Sequence, residues 1–304
     1  MANPLLLLPD FLLILIGWAV CRHTALDRPV WDAAERLVYY LLFPVLLFNS
    51  IVRSPLQLGQ TVSLAIGGLG TVACGIALAF AVKAWPGVDA RLHASGAQTV
   101  FRFNSFIALA LSERLGGPQG LAWMALVIAL CVPLCNVAAV WPLARHGGHS
   151  YGRELMRNPL ILSTVGGLLT NLAGIRFPDA VATTLQRIGL AALPLGLMAV
   201  GAGLQFGGLK ASPGLAATFL ALRHAVLPAI AIGVTAALAL PLEQRAIVVL
   251  FAALPTASSA YVLAARMGGD GGFVAGIVTL STLLGMISIP VWLALLPVLT
   301  RAFP

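Results

Sequence analysis

Arg102, Asn104 and Ser105 form a polar cluster inside a long apolar run that reads FRFNSFIALAL. Arginine carries a permanent positive charge and a planar fork of donors, and the neighbouring amide and hydroxyl groups can also donate hydrogen bonds. Together these groups can hold a carboxylate. In the alternative reading, Arg102 lies close to the end of its helix and extends its charged head to the polar surface.

A second polar cluster follows Pro255, in the run FAALPTASSAYVLA. Proline removes a backbone donor and clashes with the preceding helical turn, so it predicts a broken helix. Thr256, Ser258 and Ser259 supply hydroxyls that could satisfy the freed carbonyls. The second half of a broken helix also exposes N-terminal amides, which favour an anion. Three hydroxyl residues within four positions of a proline favour a binding site over a simple kink.

Further polar or helix-distorting residues interrupt other apolar runs, namely Pro44, Asn49, Asn136, Pro194, Arg223 and His224. Pro44, Pro194 and Pro255 are the predicted helix breaks. The two asparagines either face a ligand or bridge neighbouring helices. Arg223 either pairs with a backbone carbonyl or helps to attract an anion.

The sequence lacks the signatures of the common enzyme classes, since it contains no G-x-S-x-G, H-E-x-x-H or Walker motif. A membrane-embedded hydrolase that pairs Ser258 or Ser259 with His224 stays an alternative. Cys131 and Cys135 are four residues apart, but no further histidine or cysteine lies at metal-ligand spacing around them. We therefore predict no metal site and no cofactor. The acidic residues avoid the middle of the predicted helices, so coupling to H⁺ or Na⁺ stays open.

The composition of the chain indicates which structural elements position these polar groups. The chain has 304 residues, of which 60% are hydrophobic and only 9% are charged, whereas a soluble domain has about 25% charged residues. Crossing a bilayer takes about 20 apolar residues. Ten such runs predict helices at 4–21, 32–52, 61–83, 96–114, 119–144, 157–175, 180–206, 214–240, 245–267 and 271–300. The fold class is therefore an all-α integral membrane protein in a lipid bilayer.

The two halves of the chain repeat their helix-distorting residues. Gly17 and Gly167 are 150 positions apart, and so are Pro44 and Pro194. Because each half contains an odd number of helices, the halves face opposite ways in the membrane. We therefore predict two inverted five-helix repeats at residues 1–147 and 148–304, an architecture that places substrate where broken helices meet.

The net charge of +8 indicates orientation rather than nucleic-acid binding. Lysine and arginine collect in alternate loops, ten on one side and six on the other, and the richer side should be cytoplasmic. We predict a multi-pass protein of a bacterial inner membrane with both termini in the periplasm. Glycine-rich helix faces permit a homodimer.

The sequence resembles the auxin efflux carrier family of membrane transporters, in its prokaryotic branch. The stretches that carry the resemblance span most of the chain, and they include FRFNSFIALAL, RNPLILSTVGGLLTNLAGIRFP, LPLGLMAVGAGL and LPTASSAYVLAARMGGDGGFVAGIVTLSTLLGMISIPVW.

This resemblance implies ten helices in which broken helices 4 and 9 cross beside the substrate. Helices 1, 2, 6 and 7 would form a scaffold against which the remaining helices move as an elevator. Asn104 and Pro255 would mark the crossing, and Asn49 and Asn136 would face the pocket. Plant members have a proline at the helix 4 crossing, whereas this chain reads Arg102-Phe103-Asn104, so unwinding of helix 4 stays open.

We therefore predict a secondary transporter of small organic anions such as malate or malonate. Substrate contacts are expected from Arg102, Asn104, Ser105, Asn136, Thr256, Ser258, Ser259 and Asn49. The alternatives are a carrier of auxin-like monocarboxylates or other metabolites, and a membrane sensor that binds such a ligand without transporting it.

Overall fold

A computed structural model of the chain describes residues 8–53, 58–140, 159–205, 209–257 and 259–302. Within these ranges the protein is helical and contains no strand. The α-helices, numbered in chain order, are α1 Leu8–His23, α2 Arg28–Leu37, α3 Phe43–Arg53, α4 Leu58–Ala81, α5 Ala90–Gly96, α6 Gln98–Phe101, α7 Ser105–Val140, α8 Pro159–Leu172, α9 Asp179–Leu190, α10 Ala192–Ala202, α11 Pro213–Ala221, α12 Leu227–Ala237, α13 Leu242–Ala253, α14 Ser259–Arg266 and α15 Gly271–Ala302.

Within the described residues, six helical segments are long and apolar enough to cross a membrane, namely Arg28–Arg53, Val62–Ala84, Ala90–Ala139, Asp179–Ala202, Pro213–Ala237 and Gly271–Leu299. Large apolar side chains are exposed along one face of α15, at Ile287, Val291, Leu295 and Val298. An apolar stripe of this kind at helical spacing suits a bilayer and not water.

Two differences from the predicted helices change how the elements connect. Predicted helices 4 and 5 run together in α7, which is kinked where Gly117 adopts φ 56° and ψ −149°. Only glycine adopts this backbone conformation readily. Predicted helix 7 is divided by a turn at Ala191, after which Pro194 lies in the first turn of α10. A proline is tolerated there, because the amides of a first turn have no partner within the helix.

The helices pack in two groups. In the first group, α1 packs on α10, and α3 packs on α8 and α9. In the second group, α4, α7, α12, α13 and α15 pack on one another, and α7 also contacts the first group. Glycines permit the closest approaches in the first group, since a Cβ on Gly17 would overlap the Met198 carbonyl and one on Gly201 would overlap the Ile14 carbonyl.

Two prolines follow π-helical turns. The sequence predicts a break at Pro44, but the π turn Val38–Leu42 leads directly into α3, so the helix is widened and not broken. Pro228 in turn follows the π turn Leu222–Val226. A proline cannot donate to the carbonyl four residues earlier, and a wider turn relieves the clash with that carbonyl.

The carbonyl that Pro228 leaves without its usual donor belongs to His224, and Trp292 Nε1 donates to it at 2.8 Å. We expect Trp292→Phe to lower the free energy of unfolding by about 1–2 kcal/mol, because it leaves a buried acceptor unpaired while keeping most of the ring. Chemical denaturation in detergent measures the change. Trp85→Phe is the control, because the Trp85 side chain is exposed. Equal losses for both variants would contradict this assignment.

Candidate functional site

The first helix break lies between α6 and α7, where Arg102, Phe103 and Asn104 are not helical. Asn104 Oδ1 accepts from the Phe106 and Ile107 amides at 3.0 and 3.2 Å, and so caps the N-terminus of α7. Asparagine favours this position, because its side chain satisfies amides that the helix itself cannot. The capping asparagine explains how helix 4 unwinds without a proline.

The second break lies between α13 and α14. Leu254 is extended, with φ −57° and ψ 147°, as expected for a residue before proline. Pro255, Thr256 and Ala257 are also non-helical. The predicted break at Pro255 is therefore present.

The two breaks contact each other directly. The Asn104 amide donates to the Pro255 carbonyl at 2.9 Å. Arg102 donates through one terminal nitrogen to Ser259 Oγ at 3.1 Å, and through the other to Gln98 Oε1 at 2.9 Å. A backbone bond and a side-chain bond thus join positions more than 150 residues apart, and the broken helices meet at a common point that we call the crossover.

Three adjacent cavities open at the crossover, with volumes of about 450, 140 and 130 Å³. Tyr39 and Ser259 line all three, and Arg102 lines the first two. The largest of these three cavities lies between the two helix groups, because α10 and α2, which packs on α10, line one part of it and the crossover lines another. Its volume is in the range of small-molecule sites.

Charged side chains are concentrated in the largest cavity. Arg28 forms ion pairs with Asp32 at 2.8 Å and with Glu35 at 3.4 Å. Arg36 and Arg102 also line the cavity, and neither forms an ion pair with a described carboxylate. Two positive charges are therefore available at a cavity bordered by the N-termini of α7 and α14.

Most of the predicted contact residues come together at these cavities. Ser105 lines both smaller cavities, Asn104 lines one and Asn136 lines the other. Thr256 is fully buried and lines none of the three, although its amide donates to Ser281 Oγ at 3.0 Å. Asn49 is half-buried on α3 and also lines none of the three. Ser258 lies outside the described residues.

Arg223 pairs with backbone carbonyls, which is one of the two roles predicted for it. It is 3% exposed and donates to the carbonyls of Leu254 at 2.5 Å, Val100 at 3.0 Å and Phe251 at 3.5 Å. These carbonyls belong to the C-terminal ends of α6 and α13 and to the start of the second break. Its role in attracting an anion stays a prediction.

His224 does not pair with Ser259, which is the serine of the hydrolase alternative that lies within the described residues. Its ring nitrogens contact Ser288 Oγ at 2.9 Å and Ser281 Oγ at 2.8 Å, whereas Ser259 contacts Arg102. Among the described residues, no group of three or more His, Cys, Asp or Glu side chains could hold a metal ion.

Sequence reasoning missed the charged face of α2, where Arg28, Asp32, Glu35 and Arg36 line the largest cavity. We predicted that helix 2 begins at residue 32 and assigned no ligand contact to Arg28 or Arg36. The four-residue spacing of Arg28 and Asp32 was the available signal, since residues at that spacing share a helix face.

Comparisons with known proteins indicate a membrane transporter. A profile of the family described as "Membrane transport protein" matches residues 142–293. An "Uncharacterized transporter" of Methanothermobacter thermautotrophicus is 26% identical over 288 residues, which cover 92% of this chain and 94% of that protein. A "Putative malonate transporter" of Rhizobium meliloti is 26% identical over 285 residues, which cover 86% of each chain.

The family match includes the whole of the second break, and both relatives cover most of the chain. The chain is thus a multi-pass membrane protein that moves a small molecule, and it is not an enzyme. It belongs to the membrane transport protein family, which is the auxin efflux carrier family that the sequence resembles.

Proposed function

We propose that the protein is a secondary transporter of small organic anions, with dicarboxylates of the size of malonate or malate as its preferred substrates. The observation that carries this proposal is Arg102, a half-buried guanidinium at the crossover that forms no ion pair with any described carboxylate. A charge at membrane depth is costly without a counterion, so an anionic substrate is its natural partner.

The local geometry supports recognition of a carboxylate. Arg102 and Ser259 lie beside the N-termini of α7 and α14, whose first amides carry partial positive charge. Asn104, Ser105 and Asn136 line the adjoining cavities. In the proposed site, the substrate carboxylate accepts from Arg102 and from the hydroxyl and amide groups around it. Thr256, Ser258 and Asn49 remain candidates for contacts in another state of the transport cycle.

We infer ten transmembrane helices in two inverted repeats, 1–147 and 148–304, with helices 4 and 9 crossed. The packing of glycines supports this inference. Gly17 of predicted helix 1 packs on α10 of predicted helix 7, and Gly167 of predicted helix 6 packs on α3 of predicted helix 2. A pseudo-twofold axis that relates the repeats would exchange these two contacts.

The mechanism that we propose is elevator-type alternating access. The packing supports it, because α1, α3, α8, α9 and α10 form one group and the crossover belongs to the other. A substrate held between the groups would change its access when one group slides against the other. The inner-membrane location, the periplasmic termini and a homodimer belong to the same proposal.

Counterflow in proteoliposomes tests the function. Vesicles are loaded with unlabelled malonate, and labelled malonate is added outside. We expect transient accumulation of label that is competed by malate and weakly by monocarboxylates, and this assay requires no imposed ion gradient. Accumulation of an auxin-like monocarboxylate in place of dicarboxylates would favour the alternative in which the protein carries monocarboxylates. Saturable binding of malonate without flux would favour the sensor alternative.

A further inference from the structure

Arg223 is a buried charge whose partners are all backbone carbonyls. Its guanidinium reaches Val100 at the end of α6, and Phe251 and Leu254 at the end of α13. None of the described carboxylates forms an ion pair with it. The π turn Leu222–Val226 places this side chain between two helices that are distant in sequence.

The two helix ends that Arg223 contacts are negative poles. Each helix C-terminus has carbonyls without intrahelical donors, and α6 extends the dipole of α5 because Ala97 between them has helical dihedral angles. Such an end carries about half of a negative elementary charge. The Asn104–Pro255 hydrogen bond holds the two breaks together, so the poles of α6 and α13 meet. Together, the negative charges of the two helix ends balance the single positive charge of the guanidinium. Without them, this buried charge would be strongly unfavourable.

In transporters with broken helices, carbonyls of this kind often coordinate a sodium ion. Here the guanidinium occupies the position between the carbonyls. We propose that Arg223 is the built-in counter-cation of the crossover, a positioning residue that replaces a bound metal cation there. The carrier then moves its anion without a sodium ion at the crossover. The inference goes beyond the proposed function, which leaves the coupling ion open.

The first test measures the cation dependence of transport and rests on the proposed function. Wild-type counterflow of malonate is compared with Na⁺ on both sides and with Na⁺ replaced by K⁺ or N-methyl-D-glucamine. We expect equal rates. We also expect Arg223→Gln to lose counterflow by roughly tenfold or more, because buried carbonyls lose their charged donor. Wild-type flux that requires Na⁺, or normal flux in Arg223→Gln, would overturn the proposal.

The second test needs no transport and therefore separates failure of this inference from failure of the proposed function. The melting temperature of detergent-purified protein is measured in Na⁺ and in N-methyl-D-glucamine. Arg223→Ala vacates the carbonyls, so Na⁺ should raise its melting temperature, whereas wild type should not respond. A response of wild type and not of the variant would contradict the proposal.

Arg245→Gln is the matched control, because Arg245 Nε also donates to a carbonyl, that of Leu240 at 2.7 Å, but away from the crossover. It should melt equally in both salts. If Arg223→Ala does not fold, Arg223→Lys decides the question. Its single ammonium keeps the charge but cannot reach three carbonyls in a planar fork, so partial activity without Na⁺ dependence is expected. Na⁺-dependent flux in this variant and in wild type alike would overturn the proposal.

Discussion

Arg102→Ala is expected to reduce malonate counterflow by about 100-fold, because the substrate carboxylate loses its charged partner in a partly desolvated site. The same substitution should leave the melting temperature nearly unchanged. Arg102 donates to Ser259, which lines the cavities, and to Gln98. Gln98 also donates to the Ser95 and Ala260 carbonyls, so it stays in place when Arg102 is removed.

The structure provides a close control for this experiment. Arg53 also donates to a glutamine oxygen, that of Gln186 at 3.2 Å, and to the Ala182 carbonyl at 3.3 Å, but it is exposed and lines none of the three cavities. Arg53→Ala should therefore transport normally. Arg102→Lys keeps the charge and loses the fork, and we expect intermediate flux with a weakened apparent affinity.

Substrate charge provides a second readout of the Arg102 variants. If Arg102 recognises a carboxylate, its loss should reduce binding of dicarboxylates more than binding of uncharged analogues of similar size. Equal flux in Arg102→Ala and wild type across substrate concentrations would contradict the assignment. A uniform loss for charged and uncharged substrates would indicate that Arg102 only shapes the break.

The broken helices illustrate how far the sequence predicts this site. Pro255 and the hydroxyl residues after it predicted the second break, because proline acts through its own covalent structure. The first break has no such marker. Asn104 could have been recognised as a helix N-cap, since asparagine is among the residues preferred at that position, but only the structure shows that the helix is open there.

The roles of the buried charges depend on three-dimensional contacts that the sequence does not reveal. Arg223 was equally compatible with pairing to a carbonyl and with attracting an anion, and its partners come from two other helices. The charged face of α2 was missed for a different reason. Its residues resemble a surface loop in composition, and they become part of a cavity only because α10 and the crossover pack opposite them.

The glycine spacing carried more information than any single motif, and it leads to the largest expected effect on stability. Gly201 lies where α10 crosses α1, and a Cβ there would overlap the Ile14 carbonyl and approach the Trp18 amide. Both obstacles are backbone atoms, so no side chain can rotate to make room. Gly201→Ala must therefore separate the two helices, which we expect to cost about 3 kcal/mol or more.

Gly17 makes the reciprocal contact with the Met198 carbonyl, so the two substitutions should not be additive. Once Gly201→Ala has separated α1 from α10, Gly17→Ala should cost little more, because residues at one interface share the same displacement. Melting of both single variants and the double variant in detergent measures this coupling. Gly233→Ala is the control, since a Cβ at Gly233 on α12 meets no atom within 4 Å. If Gly201→Ala melts like Gly233→Ala, close α1–α10 packing does not stabilise the scaffold.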